Sequence, residues 1–208
     1  KKYPDHLAFT NFGVSIDFTK IAQDSRSFAA YLQNVLGLKK GDRIAMMMPN
    51  LLQYPVAIFG ALRAGLIVVN VNPLYTPREL KHQLQDSGAK TIIIFENSAH
   101  VLSAINDDLE MEHVIITKIG DYLGIKGRLM NFVVKYVKRM VPSYNLKNTI
   151  PFKTALQRPV PDFNEVQISP DDLAFLQYTG ATTGLSKGSM LSHRNVVANI
   201  EQLKSMLN

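Results

Sequence analysis

Apolar positions along this chain switch repeatedly between a period near 3.6 and short continuous runs, and the switching predicts the order of elements. Ile21, Ser25, Phe28, Ala29, Leu32, Val35 and Leu36 share one face at helical spacing, and Gly37 follows them, so a helix is expected over 18–36. Residues 43–48 form a short apolar run before Pro49 and Asn50, which reads as a strand ending in a turn; 52–64 then reads as helix and 66–71 as strand. Thr76, Pro77 and Glu79 make a capping box with proline at the first helical position, opening a helix that runs to about Ser87. Two β-branched runs, 91–95 and 113–117, are expected strands, with a helix over 99–109 between them. Strand and helix alternate three times. Such connections cross over right-handed, so residues 1–120 are expected to form a doubly wound α/β unit with a mostly parallel sheet flanked by helices.

The pattern changes after Lys118. A basic helix comes first, then a stretch punctuated by Pro142, Pro151, Pro159, Pro161 and Pro170, so 121–170 reads as a connector or insertion. Residues 171–208 return to order: a strand over 173–178, a polar glycine-containing loop over 179–189, and a helix over 192–207 with Val196, Val197, Ile200, Leu203 and Leu207 on one face. An amphipathic helix with nothing after it to pack on predicts that the chain is a fragment of a longer protein.

Composition narrows the classes. With 208 residues, 46% apolar and 19% charged, the chain belongs among soluble globular proteins and is long enough to bury a core without crosslinks. It has no cysteine, which excludes a disulfide framework, a zinc–thiolate site and a thiol nucleophile. No apolar signal region follows the basic N-terminus, and the nearest approach to a membrane span, 55–71, is short and interrupted by Gly60, Arg63 and Gly65. The net charge is +6, but it is local: Lys118, Lys126, Arg128, Lys135, Lys138, Arg139, Lys147 and Lys153 face a single acid, Asp121, in their segment, and the remainder of the chain sums to −1. One basic patch without groove-reading or stacking motifs argues against nucleic acid. His6, His82, His100, His113 and His193 lack the paired spacing of metal sites and default to surface or capping roles.

The chemistry is concentrated between Tyr178 and Ser189. Thr179, Gly180, Ala181, Thr182, Thr183, Gly184, Leu185, Ser186, Lys187 and Gly188 combine three glycines, four hydroxyls and one lysine between an expected strand and an expected helix. Glycines let backbone amides approach phosphate oxygens, hydroxyls donate further bonds, and Lys187 adds a point charge, so the composition suits a polyphosphate. A Walker A loop is excluded, because Ser186 and Gly188 flank the lysine where glycine and Ser or Thr are required. Gly184 to Gly188 also match the G-x-S-x-G elbow of α/β-hydrolases. That motif needs its serine at a sharp strand-to-helix turn, whereas Ser186 lies eight residues past Tyr178, and His193 precedes Glu201 in the wrong order for a triad.

The segment QYTGATTGLSKGSMLSHRN resembles the phosphate-binding signature of the adenylate-forming, or acyl-activating, enzymes. MMPNLLQYPVAIFGALRAG and VNVNPLYTPRELKHQL are similar to bacterial long-chain fatty acyl-CoA synthetases in particular. The resemblance covers essentially the whole chain. It implies the N-terminal part of a large adenylation domain and a two-step reaction: ATP and a fatty acid carboxylate give an acyl-adenylate and pyrophosphate, then coenzyme A displaces AMP. It further implies Mg²⁺, a long-chain fatty acid as partner, a homodimer, and a cytoplasmic location. Aryl-CoA ligases are the alternative within the family. By the resemblance, residues 178–189 are the phosphate-loop positions, while adenine, ribose, Mg²⁺ and coenzyme A contacts follow residue 208, so the 208 residues alone are expected to complete neither half-reaction. Two positions depart from the pattern: Ala181 stands where glycine is usual, and Ser186 where proline is frequent. His193 and Arg194 lie just after the loop and are expected within reach of a nucleotide, although Ser192 opening a helix accounts for them equally well.

Wound as a helix, residues 126–140 place Arg128, Asn131, Lys135, Lys138 and Arg139 within an arc of about 100° and Leu129, Met130, Phe132, Val133, Val134, Tyr136, Val137 and Met140 on the rest. The composition suits peripheral contact with the inner face of a membrane, or an apolar side packed on its own domain.

Overall fold

The computed structural model of the chain describes residues 3–157, 163–179 and 186–207. A hairpin of β1 (Leu7–Asn11) and β2 (Val14–Asp17) leads into helix α1 (Phe18–Asn34), whose cap is the Asp17 carboxylate accepting from the Lys20 amide at 2.6 Å. There follow β3 (Arg43–Met47), α2 (Gln53–Arg63), β4 (Ile67–Asn70), α3 (Pro77–Ser87), β5 (Thr91–Phe95), α4 (Ala99–Ser103) and β6 (His113–Thr117). Beyond β6 come α5 (Gly124–Phe132), β7 (Ile150–Pro151), α6 (Phe152–Gln157), β8 (Leu173–Thr179), β9 (Lys187–Ser192) and α7 (His193–Leu207). The larger sheet has the order β7-β6-β5-β3-β4-β8-β9, parallel throughout except for the final antiparallel pair.

Both faces of the sheet are covered, which explains the continuous apolar strands. Ile44, Met46, Val68, Ile93 and Ile115 pack with Phe28, Leu32, Val56, Ala57 and Phe152 beneath α1, α2 and α6. Ala45, Met47, Val69, Ile92, Ile94 and Ile116 pack with Leu80, Leu84, Val101 and Leu102 beneath α3 and α4. Each fully buried Val, Leu, Ile, Phe or Met side chain among these contributes roughly 1.5–3 kcal/mol. The chain reverses across β3, placing β4 on one side and β5 on the other. Helix α3 makes that crossing, and doubly wound sheets hold ligands at the carboxyl ends of the strands beside such a reversal.

One element is additional to the expectations, and three expectations are corrected. The β1–β2 hairpin was not legible in the apolar pattern. The helix expected over 99–109 is only α4, between 3₁₀ turns at Glu96–Ser98 and Asn106–Asp108. Of the loop expected over 179–189, Thr179 closes β8 and Lys187, Gly188 and Ser189 belong to β9. The basic helix is α5 followed by a π turn, Val133–Val137, and the chain leaves it through Arg139 at φ +50°. Ile125, Leu129, Phe132, Tyr136, Val137 and Met140 are all exposed, while Asn131 and Lys135 face the protein.

Candidate functional site

The loop expected to carry the chemistry leaves the carboxyl end of β8, the strand that runs parallel to β4, with Asn70 opposite Gln177. A polar chain ties these strand ends together. The Asn70 amide donates to Gln177 Oε1 at 3.1 Å, the Tyr54 hydroxyl donates to Asn70 Oδ1 at 2.9 Å, and the Gln83 amide of α3 donates to the Asn70 carbonyl at 2.8 Å. Burial raises the Tyr54 phenol above its ordinary pKa, so it stays a donor.

Of the expected phosphate-loop residues, Gly180, Ala181, Thr182, Thr183, Gly184 and Leu185 lie outside the described residues, and so does any effect of Ala181. Tyr178, Thr179, Ser186, Lys187, Gly188 and Ser189 are described, and they form the base of the loop. Thr179 pairs with Lys187 and Tyr178 with Gly188 across the antiparallel stem. The pairing of Tyr178 with glycine has a steric cause: a β-carbon at Gly188 would sit 2.9 Å from the Tyr178 ring. The buried ring sends its hydroxyl to Asp86 Oδ2 at 2.5 Å, and burial followed by that bond raises the phenol's pKa. Thr179, Lys187 and Ser189 are exposed. Lys187 has no carboxylate partner among the described residues, so its ammonium is open to an anion at the mouth of the loop.

Two alternatives from the sequence are resolved by this geometry. Ser186 leads into strand β9 and the next helix begins only at His193, so the strand-to-helix turn of a nucleophile elbow is not formed. His193 and Arg194 do not approach the loop. Ser192 pairs with Leu173 at the far end of β8, about 17 Å from Lys187 at strand spacing, and the Arg194 guanidinium is held by both oxygens of Asp171, at 2.9 and 3.2 Å. Among the described residues no group of three or more His, Asp or Glu is placed to hold a metal ion.

The residues that sequence reasoning missed are on α3. His82 Nε2 lies 3.1 Å from the Ser186 carbonyl, and Asp86 accepts from Tyr178. Their i, i+4 spacing was visible, but nothing in it showed which strands lay opposite.

The family description "AMP-binding enzyme" matches residues 1–208. The chain is 58% identical over 206 residues to long-chain-fatty-acid–CoA ligases of Escherichia coli O157:H7 and of Salmonella typhimurium, covering 98% of this chain and 37% of each relative. It therefore spans a little over a third of their length. A crystal structure of a long-chain-fatty-acid-CoA ligase from Archaeoglobus fulgidus matches with a TM-score of 0.71 at 26% identity, over 96% of this chain and 34% of that one.

Proposed function

The chain belongs to the AMP-binding enzyme family, and from that premise we propose that the whole protein activates long-chain fatty acids with ATP, forming the acyl-adenylate and then the coenzyme A thioester. The observation that carries the reading is Lys187: an exposed residue with no carboxylate partner among the described residues, opposite Thr179 and at the end of a glycine- and threonine-rich sequence on the carboxyl edge of the sheet. ATP supplies the activated α-phosphorus and a pyrophosphate leaving group. Lys187 counters the negative charge that grows on the departing phosphates, and in this reading the hydroxyls of Thr179, Ser186 and Ser189 donate to their oxygens. Charge that develops during reaction is best met by groups already fixed in place, and strand pairing on both sides of the loop provides that fixity. Among the described residues no carboxylate cluster is placed to hold Mg²⁺, and in this reading its protein contacts follow residue 208. Adenine, ribose and coenzyme A contacts would come from the part of the relatives' length that this chain does not span.

The test is ATP–pyrophosphate exchange and ATP-dependent acyl hydroxamate formation by the whole protein. Lys187→Ala is expected to lower kcat/KM for ATP by roughly 100-fold, the scale seen when a charge-stabilising donor is removed. Undiminished turnover after Lys187→Ala combined with Thr182→Ala and Thr183→Ala would overturn the reading.

A second reading concerns the membrane, and exposed apolar surface favours it. Ile125, Leu129, Phe132, Tyr136, Val137 and Met140 project from α5 and its π turn, with Lys126, Lys138 and Arg139 beside them. Apolar side chains flanked by cations suit contact with the anionic inner face of a bilayer, where a fatty acid substrate is dissolved. No helix among the described residues is long and apolar enough to cross a membrane. Co-sedimentation with phosphatidylglycerol vesicles should weaken when Lys126, Lys138 and Arg139 become glutamate; unchanged binding would count against this reading.

A further inference from the structure

Among the described residues, stem β8–β9 stands at one end of the sheet: β8 is supported by β4, whereas β9 pairs with β8 alone. An edge strand carrying a functional lysine at its first residue would fray at the loop end unless something else held it. Helix α3 supplies that hold. His82 and Asp86 are four residues apart, about 6 Å along the helix axis, and lie on one face. Each reaches a different stem of the loop. Asp86 accepts from the Tyr178 hydroxyl on the entering strand at 2.5 Å, and His82 Nε2 meets the Ser186 carbonyl on the departing side at 3.1 Å. A carbonyl oxygen only accepts, so the bond requires the hydrogen on Nε2.

The helix doing this is itself fixed at both ends and along its length. Thr76 and Glu79 form a reciprocal capping box, Pro77 occupies the first turn, and Gly88 ends the helix in the left-handed conformation. Leu80 and Leu84 are buried in the core, and Gln83 is bonded to the Asn70 carbonyl at the end of β4. The position of α3 relative to the strand ends is thus set by the fold rather than by the loop.

We propose that His82 and Asp86 are positioning residues that clamp the two stems of the nucleotide-phosphate loop and so preset where Thr179 and Lys187 meet the phosphates. The proposal rests on the phosphate-loop reading given above. Its physical content is preorganisation: a misplacement of about 1 Å in a group that stabilises charge can lower a rate by about 100-fold, so stems held before the nucleotide arrives matter beyond their contribution to folding.

The experiment uses the whole protein with His82→Ala, His82→Gln, Asp86→Ala and Lys187→Ala. Loss of either clamp bond is expected to raise KM for ATP about tenfold, the scale of one lost hydrogen bond, with KM for the fatty acid unchanged. Hydrogen exchange read by mass spectrometry should accelerate in the peptide spanning 186–190 while β3 and β5 keep their protection. Most of the ATP affinity should return in His82→Gln, whose amide nitrogen donates from nearly the place of the imidazole Nε2. If Asp86→Ala does not fold, Tyr178→Phe removes the same bond and keeps the ring beneath Gly188. Clamp variants that melt earlier but leave ATP KM and exchange at 186–190 unchanged would overturn the inference, since only a structural role would remain. Lys187→Ala separates the two claims. A crippled Lys187→Ala beside normal clamp variants refutes the clamp alone, and a normal Lys187→Ala refutes the phosphate loop on which the clamp depends.

Discussion

Helix α3 and the helical segment 124–137 both carry apolar and polar sides, yet they differ in how much of the apolar side is covered. In α3 the apolar residues Leu80 and Leu84 are buried, and His82 and Asp86 bond to the loop stems. In the second segment Ile125, Leu129, Phe132, Tyr136 and Val137 are exposed, Met130 packs against the buried cluster that includes Leu123, and two polar side chains hold the segment down. Asn131 accepts from the Gly120 amide at 2.8 Å, and Lys135 reaches the buried Glu96 carboxylate at 2.9 Å, beside the Tyr144 hydroxyl at 3.1 Å and Lys118 at 3.6 Å. The lesson is that apolar periodicity identifies a two-sided helix without saying which side the fold covers. Caps carry some of that information: α3 has a capping box and a left-handed C-terminal glycine, whereas α5 has no side-chain cap at its start.

The contrast breaks most directly under truncation. Leu80→Ala is expected to cost about 2–5 kcal/mol in urea unfolding, the range for emptying a buried leucine site, whereas Leu129→Ala should stay within about 0.5 kcal/mol. The reason is exposure, 0% for Leu80 and 67% for Leu129. A comparable loss at Leu129 would mean that the outward face is covered in the whole protein and would remove the basis for membrane contact. Gly127→Ala tests the inner face of the same segment. A β-carbon there would lie 1.9 Å from the Gly120 carbonyl oxygen, backbone against backbone, so a cost of about 1–3 kcal/mol is expected from overpacking, read as a lowered urea midpoint.

Thr76→Ala sharpens the comparison from the α3 side. Losing the capping hydroxyl should cost about 1 kcal/mol and lower Tm by roughly 2–4 °C, with vesicle binding unchanged. The smallest expected effect is a pH dependence. The Glu96 carboxylate bonded to Lys135 raises the lysine's pKa, so the folded value lies above the ordinary one near 10.4. A raised lysine pKa adds stability that is fully present below the unfolded value and is lost as pH rises through the folded value. Thermal stability should therefore fall above about pH 10, and Lys135→Met should flatten that fall; an identical alkaline slope in the variant would show that the pair contributes nothing.

Much of the fold was legible because its core strands are buried on both faces. Thr91–Phe95 and His113–Thr117 are strands over the residues their β-branched runs indicated, and α3 begins at Pro77 as its cap required. The helix over 99–109 misled because its apolar spacing was satisfied by a short helix and two 3₁₀ turns, which bury Val101, Leu102 and Ile105 without a continuous helical backbone. Strand β9 was read as loop because Lys187, Gly188 and Ser189 have poor intrinsic strand preference. Their pairing comes from β8, and Gly188 is required there only because the Tyr178 ring lies across from it.

Local chemistry, then, was determined by sequence: which residues cap a helix, which runs are apolar enough to be covered on both sides, and which short segment concentrates glycine, hydroxyls and a lysine. Tertiary structure alone decided which of these meet. His82 and Asp86 lie about a hundred residues before the loop they hold, His193 lies near it in sequence but at the other end of β9, and of the basic segment's lysines Lys135 is the one bonded inward, to Glu96. Periodicity is a property of neighbours along the chain, whereas these pairings depend on strand order and on the side of the sheet each helix crosses, which no local pattern encodes.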